Sequence, residues 1–177
     1  MRLFISIDLP QEIKDYLFNL QKEVREAKIN WVSKKNLHLT LKFIGEVNDE
    51  KLPEIIKAIK EIKFSSFEIS LTNLGFFPSK EKPKVIWIGL DPEDKVIDLQ
   101  QKVDESLLTV IPTEQQFQAH LTLGRIKQIR REKDFQASLD SISIEPKKFK
   151  ITSFKLMKSE LRRTGASYEE IENVNLS

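Results

Sequence analysis

The tetrapeptide His-Leu-Thr-Leu occurs twice, at 38–41 and 120–123, and it holds both histidines of the chain. Given a histidine, composition alone supplies Leu-Thr-Leu after it only about once in two thousand. The offset of 82 positions (38 to 120) also carries Pro10 onto Pro92, Phe67 onto Phe149 and Ile69 onto Ile151. Around both prolines an apolar strand leads through an acidic turn into an amphipathic helix, "LFISIDLPQEIKDYLFNLQKEV" and "KVIWIGLDPEDKVIDLQQKVDESL". Proline at a helix start followed by acidic residues is a sound beginning for each helix. After each HLTL come a second helical stretch and a further strand, so each half reads strand, helix, HLTL strand, helix, strand. The expectation is an α+β protein, one bilobal domain over 1–177. Its repeats run over about 1–75 and 83–158, and a C-terminal strand turns back at Gly165 to form a hairpin.

On a strand, alternate residues share a face. Leu39 and Leu41 would anchor in the core, while His38 and Thr40 stand about 6.5–7 Å apart on the opposite face. His120 and Thr122 repeat the arrangement, and a pseudo-two-fold relation between the halves would set the two pairs across one cleft. Two imidazoles that titrate near neutrality can take and give a proton. Two hydroxyls can donate to non-bridging oxygens. Together they suit in-line displacement at a phosphodiester phosphorus.

Other chemistries fit less well. A zinc site needs three or four ligands at close spacing, which neither histidine has. No Gly-x-Ser-x-Gly elbow occurs, and five glycines leave little room for a phosphate-cradling loop. The absence of cysteine removes thiolate chemistry and suits a cytoplasmic enzyme. No apolar run approaches membrane-spanning length. Two buried structural histidines would leave their repeated threonines unexplained.

At these residues the sequence resembles the two-histidine (2H) phosphoesterases and, more closely, the RNA 2′,3′-cyclic phosphodiesterases, also called 2′-5′ RNA ligases. The resemblance runs through "MRLFISIDLP", "WVSKKNLHLTLKFIGEV", "FFPSKEKPKVIWIGL", "FQAHLTLGRI" and "LMKSELRRTGASYEEI". The family carries proline where this chain has Ala119, and often arginine where it has Lys84; neither change removes a group the chemistry requires. The resemblance implies two antiparallel-type sheets backed by helices with the active cleft between them. It also implies metal-independent hydrolysis of an RNA terminal 2′,3′-cyclic phosphate to a 2′-phosphate, with His38 as proton donor, His120 as proton acceptor, and 2′-5′ ligation as the reverse reaction. The partner is then an RNA end, with no cofactor, metal or membrane, and the protein a monomer.

Arg125 matches a family arginine and is a candidate phosphate partner, although strict alternation places it on the face opposite His120. Lys42 has the parity to join His38 and Thr40. Phe76 and Phe77, in a Pro-flanked basic loop, are candidates to face RNA, where stacking is worth about 1–3 kcal/mol per base. Trp87 lies within an apolar run and reads as core. Two alternatives stay open: a phosphodiesterase acting on small cyclic nucleotides, and a non-catalytic RNA-end-binding protein.

Overall fold

The structure, a computed structural model, describes residues 1–112 and 116–177. In chain order the elements are β1 (Arg2–Asp8), α1 (Gln11–Gln21), β2 (Ala27–Trp31), β3 (His38–Glu46), α2 (Leu52–Lys60), β4 (Phe67–Phe77), β5 (Val85–Asp91), α3 (Glu93–Ser106), β6 (Leu121–Ile129), α4 (Glu132–Asp140), β7 (Lys148–Ile151), β8 (Ser153–Arg162) and β9 (Gly165–Asn175). Both β1–α1 and β5–α3 turn at a proline that sits just before the helix rather than inside it. The strand β2 falls in a stretch that the sequence pattern left unassigned. A single 3-10 turn, Lys34–Asn36, delivers the chain into β3.

Two antiparallel sheets result, one ordered β3-β1-β8-β9 and the other β2-β6-β5-β4-β7. Neither sheet is one half of the sequence. The last strand of the first repeat, β4, pairs with β5 of the second. The chain from β7 steps at Thr152 into the other sheet, where β8 pairs with β1 of the first repeat. Each sheet therefore combines strands of both repeats, β1 and β3 with β8 in one and β5, β6 and β7 with β2 and β4 in the other, an exchange that makes folding of one lobe depend on the other. The closing hairpin runs from Arg162 opposite Gly165 to Ser153 opposite Asn175.

All four leucines of the HLTL motifs are buried at 1 % exposure or less, in one core shared by both repeats. Each contributes about 1.5–3 kcal/mol by burial. The motif strands then share a second feature. Ser6 pairs with Thr40 and Ile5 with Lys42, which leaves Leu41 as an extra residue. Trp87 pairs with Thr122 and Ile86 with Gly124, which leaves Leu123 as the extra residue. These β-bulges occupy equivalent positions, since 41 and 123 are 82 apart. An extra residue reverses the alternation beyond it. Lys42 and Gly124 are thereby sent to the core side, and Phe43 and Arg125 to the face of the histidines.

The expectation that Lys42 reaches substrate is corrected by this reversal. It is 2 % exposed, and its ammonium pairs with Asp104 of α3 and donates to the Pro112 carbonyl at 3.1 Å. At the matching site Gly124 leaves no room for a side chain, because a Cβ there would lie 2.7 Å from the Trp31 ring and 2.8 Å from Ile29. Both repeats anchor the bulge to a helix of the other one. Lys42 reaches α3, while Gln21 of α1 donates to the carbonyls of Leu123 at 3.1 Å and Val32 at 2.9 Å.

Removing one partner of a buried ion pair is expensive. Lys42→Ala is expected to cost about 3–5 kcal/mol in chemical denaturation. Lys80→Ala, which breaks a surface pair with Asp140, should stay within about 1 kcal/mol.

Candidate active site

His38 opens β3 directly after the 3-10 turn, and the turn sets its tautomer. Its Nδ1 lies 2.6 Å from the Asn36 carbonyl, which can only accept, so Nδ1 carries the hydrogen. The Asn36 side chain in turn donates to Ala166 O at 2.8 Å, tying the turn to the start of β9. Nε2 is left facing Thr40, whose hydroxyl oxygen is 2.8 Å away. His120 repeats the pin: its Nδ1 donates to the Gln118 carbonyl, again two residues earlier, at 2.7 Å. In both copies the nitrogen offered outward is therefore Nε2.

Aromatic rings fix each imidazole from the side. Tyr168 meets His38 edge-on at 5.5 Å and 87°, and Phe4 lies 5.3 Å from it. Phe77 meets His120 edge-on at 5.1 Å and 86°, with Trp87 at 5.9 Å. Trp87 is thus a wall of the site and not the core residue its apolar run suggested. Its position requires Gly75 on the paired strand, because a Cβ there would fall 2.2 Å from the indole. Phe77 closes β4 rather than lying in a loop, and its ring rests against His120. Phe76 does not face the site as expected: opposite the fully buried Ile86, it packs on the core.

Arg125 lies on the histidine face, the bulge at Leu123 having undone the alternation that would have hidden it. It is exposed, pairs with Val85 and Asn30 on neighbouring strands, and borders an open groove with Lys84 and Lys127. Its charge is felt across the cleft. Burial pushes the Tyr168 phenol above its ordinary pKa, while Arg2 and Arg125 pull against that shift. Tyr168 belongs to the other sheet, and the motif strands β3 and β6 run close together. The equivalent of Arg125 in the first repeat is Phe43, 65 % exposed.

The surroundings of His38 include a carboxylate that pattern reading did not select. Asp8, at the end of β1, is the cross-strand partner of His38. Burial alone would raise its pKa, but Lys14 at 2.8 Å, the Leu9 amide and Lys155 outweigh that and hold it below the usual carboxylate range. Burial also holds the His38 imidazole below the ordinary histidine value; the Asn36 carbonyl and Asp8 oppose that shift and Lys14 reinforces it. Parity with Phe4 and Ser6 on β1 was the signal that would have picked out Asp8. Tyr168 could have been found only by knowing the register of the final hairpin.

Both repeats thus pin a histidine through Nδ1 and leave Nε2 for other partners, Thr40 being that partner in the first. The family model of the LigT-like phosphoesterases matches the chain twice, over residues 7–87 and 88–168. The chain belongs to that family. The chain is 34 % identical to the RNA 2′,3′-cyclic phosphodiesterase of Methanocaldococcus jannaschii, across 97 % of this chain and 99 % of that one. It is 33 % identical to the protein of the same name from Archaeoglobus fulgidus, across 97 % and 98 %. Among solved structures, TT0787 of Thermus thermophilus superimposes with a TM-score of 0.82 at 25 % identity, covering 99 % of this chain and 97 % of that one. As a member of this family the chain is a phosphoesterase with the two-sheet α+β fold.

Adding a methyl at Gly75 must displace the Trp87 indole and, with it, the His120 ring. Gly75→Ala is expected to lower turnover about 10- to 100-fold and to shift tryptophan fluorescence while leaving the circular-dichroism spectrum intact.

Proposed function

We propose that the protein hydrolyses the 2′,3′-cyclic phosphate at an RNA end to a 2′-phosphate, by acid–base catalysis from His38 and His120 without a metal. The observation that carries the reading is the duplicated pin. Each Nδ1 hydrogen is committed to a backbone carbonyl, and each Nε2 is presented beside a threonine hydroxyl or its sequence counterpart. The names of the relatives support the substrate class. The acid and base assignment follows the family resemblance.

In this scheme neutral His120 takes a proton from water as the water oxygen attacks phosphorus. Imidazolium His38 donates its Nε2 proton to O3′ as the P–O3′ bond breaks. The phosphate stays on O2′, the 3′-hydroxyl is free, and proton exchange with solvent restores both rings. When Nε2 of His38 turns to the leaving oxygen, the Thr40 hydroxyl is released to donate to a non-bridging oxygen, the role Thr122 has opposite. Arg125, on the same face, neutralises phosphate charge. Phe77 flanks the water side, where in the reverse reaction a nucleotide 5′-hydroxyl replaces water and its base can stack. No cluster of three or more His, Asp or Glu side chains suited to a metal stands among the described residues. The one carboxylate next to His38 is already held by Lys14.

His38→Ala and His120→Ala should each lower turnover on a cyclic-phosphate-ended oligonucleotide about 10²- to 10⁴-fold, with unchanged melting behaviour; wild-type turnover in either variant refutes the assignment. The product should carry a 2′-phosphate, and EDTA should leave the rate unaltered.

The pH dependence gives a separate check. Asp8 favours protonated His38, so Asp8→Asn lowers the His38 pKa and leaves Lys14 to lower it further. The group that must be protonated then loses its proton at lower pH. The optimum of the bell-shaped kcat/KM profile should move to more acidic pH; an unmoved or alkaline-shifted profile would contradict His38 as one of the two titrating catalytic groups.

A further inference from the structure

A cavity of about 220 Å³ opens at His38, which forms part of its lining, and the chemistry described above leaves its basic wall without a role. Its lining includes Lys14, Lys35 and Lys155, with Asp8 the one carboxylate, and Ser6, Ser167 and the Tyr168 ring complete the polar and aromatic wall. It is smaller than the roughly 300 Å³ at which drug-sized sites begin, which suits a compact group rather than a whole nucleotide. Three ammonium groups against one carboxylate give the wall a net positive charge. The charges are also organised. Lys14 is nearly buried and held by Asp8 at 2.8 Å and by the Lys35 carbonyl at 3.2 Å. Lys155 lies 3.7 Å from the same carboxylate and 2.7 Å from Glu170, which stands outside the lining.

Reaction geometry says what would arrive there, given the phosphodiesterase reading above. In an in-line displacement the leaving oxygen lies opposite the attacking water. The leaving O3′ remains attached to the terminal ribose, so that sugar lies on the acid's side, which is the side of His38. The same sugar carries the 5′-carbon, and the RNA continues from it through a phosphate. We propose that the cavity lined by Lys14, Lys35 and Lys155 seats the 5′-phosphate of the terminal nucleotide, the group that distinguishes an RNA end from an isolated nucleoside cyclic phosphate. Asp8 then serves two neighbours, aligning Lys14 and Lys155 toward this phosphate while its charge acts on His38. The preference is for a compact dianion or phosphodiester, without regard to base identity.

The test compares adenosine 2′,3′-cyclic phosphate with the same compound bearing a 5′-phosphate. For the wild type, kcat/KM should be about tenfold or more higher with the 5′-phosphate, through charge-assisted hydrogen bonds, and the advantage should shrink as salt rises. In Lys155→Met, and independently in Lys35→Ala at the exposed rim, the ratio of the two kcat/KM values should fall toward one. The ratio discounts any general loss caused by either substitution. Hydrolysis of both compounds with equal efficiency by the wild type overturns the subsite and leaves the phosphodiesterase reading standing. Hydrolysis of neither compound, nor of a cyclic-phosphate-ended oligonucleotide, overturns both. Loss in the variants that falls equally on the two compounds assigns the lysines to the fold and refutes the subsite.

Discussion

The arrangement of the cleft depends on one extra residue in each motif strand. A strand that alternated without interruption from His38 would carry Lys42 to the cleft and hide Phe43, and from His120 would expose Gly124 and hide Arg125. The bulges at Leu41 and Leu123 reverse both outcomes. A bulge leaves backbone groups without ladder partners, and a buried unpaired carbonyl costs about 1–3 kcal/mol. The Leu123 carbonyl is satisfied by the Val32 amide at 2.9 Å and by Gln21. The distortion that aims Arg125 is therefore stabilised by contacts from the other repeat.

Those contacts form a crossed pattern. Gln21, late in α1, holds the bulge of β6, while Asp104, late in α3, holds Lys42 one residue past the bulge of β3. With an 82-residue offset, Gln21 corresponds to Val103 and Lys42 to Gly124, so the two anchors sit at adjacent repeat positions but use different chemistry. The strand exchange acts in the same direction, since β4 and β8 each complete the sheet of the other repeat. Relative placement of two side chains on different repeats is a demanding requirement for acid–base work, because small misplacements reduce rate steeply. Crossed anchors and exchanged strands tie that placement to the core instead of to a flexible seam.

Much of this was legible in the chain itself. The repeat, the α+β class, the buried leucines and the shared face of His38 and Thr40 all follow from a period of two and a doubled phrase. What failed depends on facts beyond a single strand. Lys42 was placed by strict alternation, whereas Arg125 was chosen against it from the family pattern, and a bulge has no fixed sequence signature: Leu-Lys and Leu-Gly after a threonine look like ordinary strand. Phe76 was misplaced because the adjacent pair Phe76 and Phe77 gives no clue to which ring faces the core until the partner strand is known, and Trp87 because an aromatic inside an apolar run looks like core. Asp8 and Tyr168 reach His38 only through strand pairing and a hairpin register, which are long-range facts. The strand exchange is likewise invisible locally, since the step at Thr152 changes sheet without a glycine or proline to mark it.

The two copies are alike in sequence, and yet a reaction with distinct acid and base needs them to differ. The fold supplies the difference through what it packs around each ring. His38 sits deep, with Phe4 and Tyr168 against it, a carboxylate across the strand pair and Lys14 behind that carboxylate. His120 lies nearer to solvent and has Phe77 and Trp87 as neighbours. Desolvation lowers the pKa of His38 and so makes its protonated form a stronger donor, while Asp8 keeps that form accessible. An approaching cyclic phosphate adds negative charge beside the ring and favours protonation further. With His38 in the donor role proposed above, the ring is thus charged most readily when substrate is present, which is the condition under which a leaving 3′-oxygen requires a proton.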